Sequence, residues 1–432
     1  MIQSDLTAVS VSSRDIEGGA ARAAYRLHQG LRGIGVNSLM LVQRKHGNDT
    51  DILQAGGNSP LAKSWNMLKP WLDLRPLGFY PRKQSTPWSC NLLPSPYFGS
   101  QLNALSPDIV HVHWIGEGFV SPARLAAISK PVVWTLHDMW AFTGGCHYDD
   151  GCGRYSSVCC KCPQLGSKSR YDLSTWLFHR KIHSWKNWRP TLICPSKWLA
   201  HCACRSAVFG GHDIRVIPNG LDTHRFQPLD KQFCRKILGL PDDAWIVLFG
   251  AMLATSDRKK GFHLLEPALK KLSNLFQGNR RIELLIFGAF RPDPAPDFGF
   301  PDHYAGRFHD DVSLAVAYSA GDVMIAPSIQ DNLPSTVMEA LACGTPVVAF
   351  DIGGIPDMIE HQRNGYLARA FDTENLAMGI RWILENEERR LELSRQARSR
   401  AVEKYALPTI ARRHVQLYQE LLEERKPALM AK

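Results

Sequence analysis

The residues best placed to do chemistry stand in one window, from Ala326 to Pro346, which reads as a strand end, a polar loop and a helix beginning near Pro334. Backbone N–H groups at such a helix start, beside the Ser335 and Thr336 hydroxyls, favour a phosphate or diphosphate, because the helix dipole and the unpaired donors act together. Glu339 lies about a turn further in, where its carboxylate can accept hydrogen bonds from ribose hydroxyls, and Asp331 precedes the helix and can hold another polyol. A well-capped helix with incidental acids would contain the same residues. A second set is Arg258-Lys259-Lys260, three consecutive cations before Gly261. They would neutralise a departing diphosphate without a metal, while a solvated turn of charges is the plain alternative. In the first half, His137 follows the apolar run 131–136 at the mouth of a strand, and Gly18 and Gly19 open the first helix. Glycine there lets a ligand approach the backbone and equally suits a tight turn. No Asp-x-Asp motif follows a first-half strand, so no catalytic metal is expected.

Cysteine is unevenly spread. Of 11 in the chain, Cys146, Cys152, Cys159, Cys160 and Cys162 crowd one short stretch. Cys146, Cys152, Cys159 and Cys162 would offer four thiolates to a tetrahedral structural zinc, with His147 as a spare ligand. Free buried thiols and a redox pair are the other readings. Bulk also coincides with positive charge in two stretches, residues 63–83, with Trp65 and Trp71, and residues 176–189, with Trp185 and Trp188. Such pairing suits an anionic membrane interface, and it would equally make a core face backed by a solvated face. No nucleic-acid module accompanies these residues, so no nucleic-acid partner is expected.

The elements that must position these groups follow an α/β pattern. Short apolar runs at 7–11, 36–42, 108–113, 131–136 and 191–194, then at 245–250, 282–288, 323–326 and 346–350, read as strands separated by helices and glycine turns. That is the unit of a parallel sheet. A chain of 432 residues has room for two such sheets. The expected division is an N-terminal domain over 1–210 with a Cys-rich insert at 143–165, a second domain over 211–405, and a C-terminal helix over 406–432 packing back on the first. A single charged helical stretch is expected from Thr373 to Tyr405, and the tail from Lys426 should fray. Ligands bind such sheets at the C-terminal ends of their strands, so two facing sheets would enclose a cleft. Residues 1–216 carry 24 Lys+Arg against 13 Asp+Glu, or +11, leaving 27 against 28, or −1, for the rest. The basic half suits an anionic partner. No apolar run is long enough to span a membrane, and the start has no secretory pattern. The expected location is cytoplasmic, peripheral at the inner face of the plasma membrane.

The window around Asp331 and Glu339 resembles the acidic donor-site signature of retaining glycosyltransferases of family 4, which have the GT-B fold of two Rossmann-like domains. Their usual spacing is Glu, seven residues, Glu; here Asp331 stands at the first position, one methylene shorter. The resemblance extends to Ile217-Pro218-Asn219-Gly220, to Pro195-Ser196-Lys197-Trp198 and to Gly353-Gly354-Ile355-Pro356. Lys260 matches the family's phosphate-binding lysine. The usual arginine position, after Gly250, is not basic in Ala251-Met252-Leu253, and Lys259 or Arg258 is the replacement. The Cys-rich stretch is similar to a colanic-acid-type exopolysaccharide subgroup.

The resemblance implies sugar transfer, with retention, from a nucleotide-sugar donor to a glycan or lipid-linked oligosaccharide acceptor. It assigns His137, Asp331 and Lys260 to the reacting sugar and leaving group. Gly18, Gly19, Arg258, Lys259, Lys260, Asn332, Ser335, Thr336 and Glu339 go to the donor. Two rivals are a catalytically silent nucleotide-sugar-binding protein of the same fold and a nucleotide-sugar epimerase.

Overall fold

The computed structural model describes residues 6–57, 59–250, 258–276, 278 and 280–430. The chain divides into two compact units, one of Met1–Gly220 with Pro408–Lys432 and one of Leu221–Leu407.

In the first unit seven parallel strands run in the order β3-β2-β1-β4-β5-β6-β7. They are β1 Thr7–Arg14, β2 Asn37–Arg44, β3 Ile52–Gln54, β4 Ile109–Val112, β5 Val132–Thr135, β6 Thr191–Cys194 and β7 Ile214–Val216. The central strands are buried on both faces, which is why they read as near-continuous apolar runs. Val9 of β1 is in register with Leu39 of β2 on one side and Val110 of β4 on the other. The helix Leu407–Met430 packs on this sheet, burying Ile410, Ala411, Val415 and Tyr418 with Leu27 and Leu31 of α1 (Gly19–Gly33) and Ile109 of β4. Its backbone stays helical to Met430, beyond the expected fraying point.

The second unit has six parallel strands in the order β10-β9-β8-β11-β12-β13. These are β8 Trp245–Gly250, β9 Ile282–Phe287, β10 Asp302–Tyr304, β11 Val323–Ala326, β12 Val347–Phe350 and β13 Gly365–Ala368. Each sheet reverses its strand order once, between β1 and β4 and between β8 and β11. Loops diverge at such a switch point and leave a crevice at the C-terminal strand ends. The candidate residues follow β1, β5, β8 and β11, so they gather at these ends. The stretch 373–405 is two helices, Thr373–Leu384 and Glu387–Tyr405. Asn386 breaks the run because its side chain caps the second helix, accepting the Arg389 N–H at 2.8 Å.

Candidate functional site

In the second unit the loop after β11 leads to the helix Ser335–Ala342, whose N-cap is Pro334 and whose start has no side-chain cap. Ser335 and Thr336 are half-buried there. Glu339 is 2% exposed, and its Oε2 accepts the Tyr318 hydroxyl at 2.9 Å. Sequence reasoning missed Tyr318; an isolated tyrosine on another helix carries no local signal. Lys260 Nζ lies 2.8 Å from Asp331 Oδ2, so the cation assigned to a diphosphate and the acid assigned to a sugar share one spot. Arg258 is exposed beside them, while Lys259 and Asn332 are buried. Residues 251–257, which include the non-basic arginine position, lie outside the described residues.

Two glycines fix this loop. Gly261 has φ +74°, and a Cβ there would lie 1.8 Å from the Pro327 carbonyl oxygen. Gly353 has φ +56°, and its Cβ would lie 2.1 Å from the Asp331 carbonyl oxygen. Only glycine permits these approaches. The Gly354 N–H then bonds the Asp331 carbonyl at 3.1 Å, and the Ile329 N–H bonds the Lys259 carbonyl at 2.8 Å. The cationic turn and the acidic loop are thus stitched together by backbone.

In the first unit Gly18 (φ +100°) precedes α1, and a Cβ on Gly18 or Gly19 would meet nothing within 4 Å, so the helix start is open to a ligand. His137 follows β5 and is bonded ring to ring with His113, Nε2 to Nδ1, at 3.1 Å. Burial outweighs the nearby Asp138 charge and lowers the His137 pKa to about 4, so the ring is neutral at physiological pH. Behind it His113 stacks on His111 at 4.2 Å, and His111 bonds Thr135 (2.7 Å) and Tyr418 (2.6 Å). Adjacent is a network the sequence did not reveal. Asp138 Oδ2 holds His147 Nδ1 at 2.5 Å and accepts Trp114 Nε1 at 2.9 Å, while His147 Nε2 meets Ser89 Oγ at 3.0 Å. Burial opposes the Asp138 charge, yet His147 and the Trp140 and Trp114 N–H groups prevail and hold it below the usual carboxylate range.

Two expectations change. The zinc set does not fit: among the described residues no group of three or more His, Cys, Asp or Glu side chains is arranged to hold a metal ion. Cys146, Cys159 and Cys162 are buried and Cys152 half-buried, and burial pushes all four thiols up, Cys159 to about 12. The reserve ligand His147 is engaged by Asp138 and Ser89 instead. The second Trp-rich stretch faces largely inward, although Trp176 is 53% exposed and Trp188 is half-buried. Trp185 is 3% exposed and packs with Trp134, Trp188 and Phe209. Lys181 in the same stretch is 1% exposed, lying 3.8 Å over the Trp140 ring with Nζ donating to the Thr143 carbonyl at 3.0 Å. The first stretch keeps Trp71 54% exposed and Trp65 half-buried.

Residues 17–225 match the Glycosyltransferase Family 4 domain, and residues 230–400 match Glycosyl transferases group 1. The fold is that of the GT-B glycosyltransferases. Among solved GT-B structures, sucrose-phosphate synthase from Thermosynechococcus elongatus superposes with TM-score 0.68 at 21% identity, over 97% of this chain and 100% of its own. HepE from Anabaena, in complex with UDP and glucose, gives 0.63 at 15% identity, over 96% and 100%. In sequence, the sulfoquinovosyl transferase SQD2 of Arabidopsis thaliana is 26% identical over 75% of this chain and 58% of its own length. WcaC of Escherichia coli K12, named for colanic acid biosynthesis, is 28% identical over 56% of this chain and 58% of its own. The chain spans about half the length of the curated relatives it matches.

Proposed function

We propose that this GT-B chain transfers a sugar, with retention, from a nucleotide-sugar donor to a hydroxyl of a glycan on a lipid-linked acceptor, in exopolysaccharide or related polysaccharide synthesis. The observation that carries the reading is the Lys260–Asp331 pair at the mouth of the second sheet, fixed beside an uncapped helix start and the buried Glu339. In this reading Lys260, with Arg258 or Lys259, and the Ser335–Thr336 helix start take the diphosphate, whose negative charge grows as it leaves. Asn332 lines the same loop, and Glu339, aimed by Tyr318, takes the ribose. Asp331 takes a hydroxyl of the sugar; the roles of the neutral His137 and of the open turn at Gly18 and Gly19, in the first unit, rest on the family resemblance alone. The acceptor oxygen bonds to the anomeric carbon on the face from which the diphosphate departs, and its proton passes to the leaving phosphate oxygen. The pathway rests on the likeness to WcaC.

Calorimetry with a panel of nucleoside diphosphates tests the donor side. Glu339→Ala and Lys260→Ala should each weaken binding by about 1–3 kcal/mol, the usual loss for a charged hydrogen bond. Unchanged affinity in both variants for every nucleotide would remove the assignment. Product analysis with and without a glycan acceptor separates transfer from epimerisation and from silent binding.

We also propose peripheral attachment to anionic membrane from the cytoplasmic side. It is supported by α2 (Pro60–Asp73) and the turn after it, where Leu61, Met67, Leu68, Trp71, Leu74 and Phe79 are exposed. Between residues 52 and 107 the chain has Lys63, Arg75, Arg82 and Lys83 outside the core, while Lys69 and the one acid, Asp73, are both buried.

A further inference from the structure

The first unit holds a pocket of about 580 Å³ that the donor reading does not use. One wall is α2 and the turn after it, with Trp71 and Arg75; another comes from the loops after β4 and β5, with Trp114, Glu117 and His147; Lys83, Gln84, Thr86, Trp88 and Gln164 also line it. It is a size that takes small organic ligands.

Its polar groups are fixed in advance. Arg14 and Arg44 both clamp the Glu117 carboxylate. His147 is held between Asp138 and Ser89, and Trp114 donates to the same Asp138. An apolar ligand would use the indole walls alone and would desolvate Lys83, Gln84 and Gln164 of the lining, at a cost. A saccharide suits both parts of the lining, since its C–H faces pack on indole and its hydroxyls reach the carboxylate and amides.

A second pocket of about 460 Å³ adjoins the first. Arg75 and Gly78 belong to the walls of both, and the rest of the second lining is Leu72, Pro76, Phe79, Leu92 and Leu93. Arg75 is stacked on Trp71 at 4.2 Å, which presents its guanidinium at the shared wall, and Phe79 is 87% exposed. The sequence of surroundings is therefore aromatic and polar, then cationic, then apolar. A molecule with a sugar, a phosphate and a hydrocarbon chain in that order matches it.

We propose that these adjoining pockets bind a saccharide joined through phosphate to the hydrocarbon chain of a lipid. The sugar sits against Trp71, Trp114 and Glu117, the phosphate at Arg75, and the start of the chain along Leu92, Leu93 and Phe79. That this ligand is the acceptor rests on the function proposed above; the binding site itself does not.

Tryptophan fluorescence and calorimetry on the full chain test it with citronellyl phosphate, a short isoprenoid phosphate, and citronellol as the chain without charge. Citronellyl phosphate should bind, and citronellol at least tenfold more weakly. Arg75→Glu should reduce phosphate binding at least tenfold, and Phe79→Ser should weaken both ligands. Equal binding of the two ligands, or full binding by a folded Arg75→Glu protein, would overturn the site. Citronellyl phosphate esterified to glucose, galactose, mannose or N-acetylglucosamine tests the sugar compartment. At least one should bind tenfold tighter than the bare phosphate, with the gain lost in Thr86→Trp, which fills the pocket. No gain from any of the four removes the saccharide. Nucleoside diphosphate titrated into the unaltered protein reads the donor site separately. Intact nucleotide binding with no citronellyl phosphate binding sinks the lipid-phosphate site alone, and the converse sinks only the donor reading.

Discussion

His137 matters because its ring is held neutral within a stack of further histidines. His111, His113 and His414 are buried in the same column, and burial lowers the pKa of each, to about 4 for His414. All four therefore favour the neutral ring in the folded chain, while the unfolded chain protonates near 6.5. Between these values the unfolded state binds more protons, so stability is fully present above about pH 6.5 and is lost as pH falls toward 4. Asp138 pulls His137 the other way without reversing it. At pH 5 His414 alone accounts for about 2 kcal/mol. Urea unfolding at pH 7.5 and pH 5 should show a loss of at least that size, and His414→Leu should shrink the difference. Stability that does not change over this range would contradict the buried neutral column.

Among the elements, the loops at the strand ends depend on glycines that local pattern does not distinguish from ordinary turns. Gly261→Ala and Gly353→Ala would combine positive-φ strain with a collision against a carbonyl oxygen. Each should destabilise by about 2–4 kcal/mol. Gly18→Ala meets no neighbour and carries only the strain, about 1 kcal/mol. Thermal melts should rank Gly18→Ala well above the other two, and an inverted order would mean that the loop yields easily. The Cys-rich insert is held differently. Asp172 accepts the Cys162 N–H at 2.8 Å and caps the helix Leu173–Trp185, and Cys146 and Cys162 pack with Leu77, Trp88 and Leu177. Protein purified without added zinc should thus contain far less than one zinc per chain by elemental analysis. A near-stoichiometric content that is required for stability would restore the four-thiolate reading.

For the molecule as a whole, charge is the property on which the proposed membrane attachment rests. The +11 of residues 1–216 against −1 for the remainder concentrates attraction on one part of the chain. Each basic residue near an anionic surface contributes about 1 kcal/mol, screened over roughly 8–10 Å at physiological salt. Trp185 is buried and Trp188 half-buried against the core, so the apolar contribution rests mainly on α2 and its following turn, with Trp176 as a further exposed indole. Co-sedimentation with acidic liposomes should fall with salt but keep a residual part, and Trp71→Ser with Phe79→Ser should cut that part by more than half. No sedimentation at low salt would remove the membrane proposal. Among the described residues no helix is long and apolar enough to cross a membrane.

The central strands and the strand–loop–helix around 326–342 were legible in the residues alone. A strand buried on both faces must be apolar throughout, and a helix start is written in a few adjacent residues. The edge strands β3, β7, β10 and β13 were not, because three or four residues paired on one side carry little pattern. The residue types proposed for the donor side stand out in the sequence as a set. Their arrangement does not, since Lys260 reaches Asp331 across 71 residues and Tyr318 reaches Glu339 across 21. The histidine column is an extreme case, joining His111 to Tyr418 across 307 residues. Local sequence determines which groups can do chemistry and which segments can form strands. Packing alone decides which of those groups meet, whether a tryptophan beside a lysine faces solvent or core, and whether neighbouring thiols face a common centre. Those outcomes depend on contacts between segments whose separation along the chain no periodicity encodes.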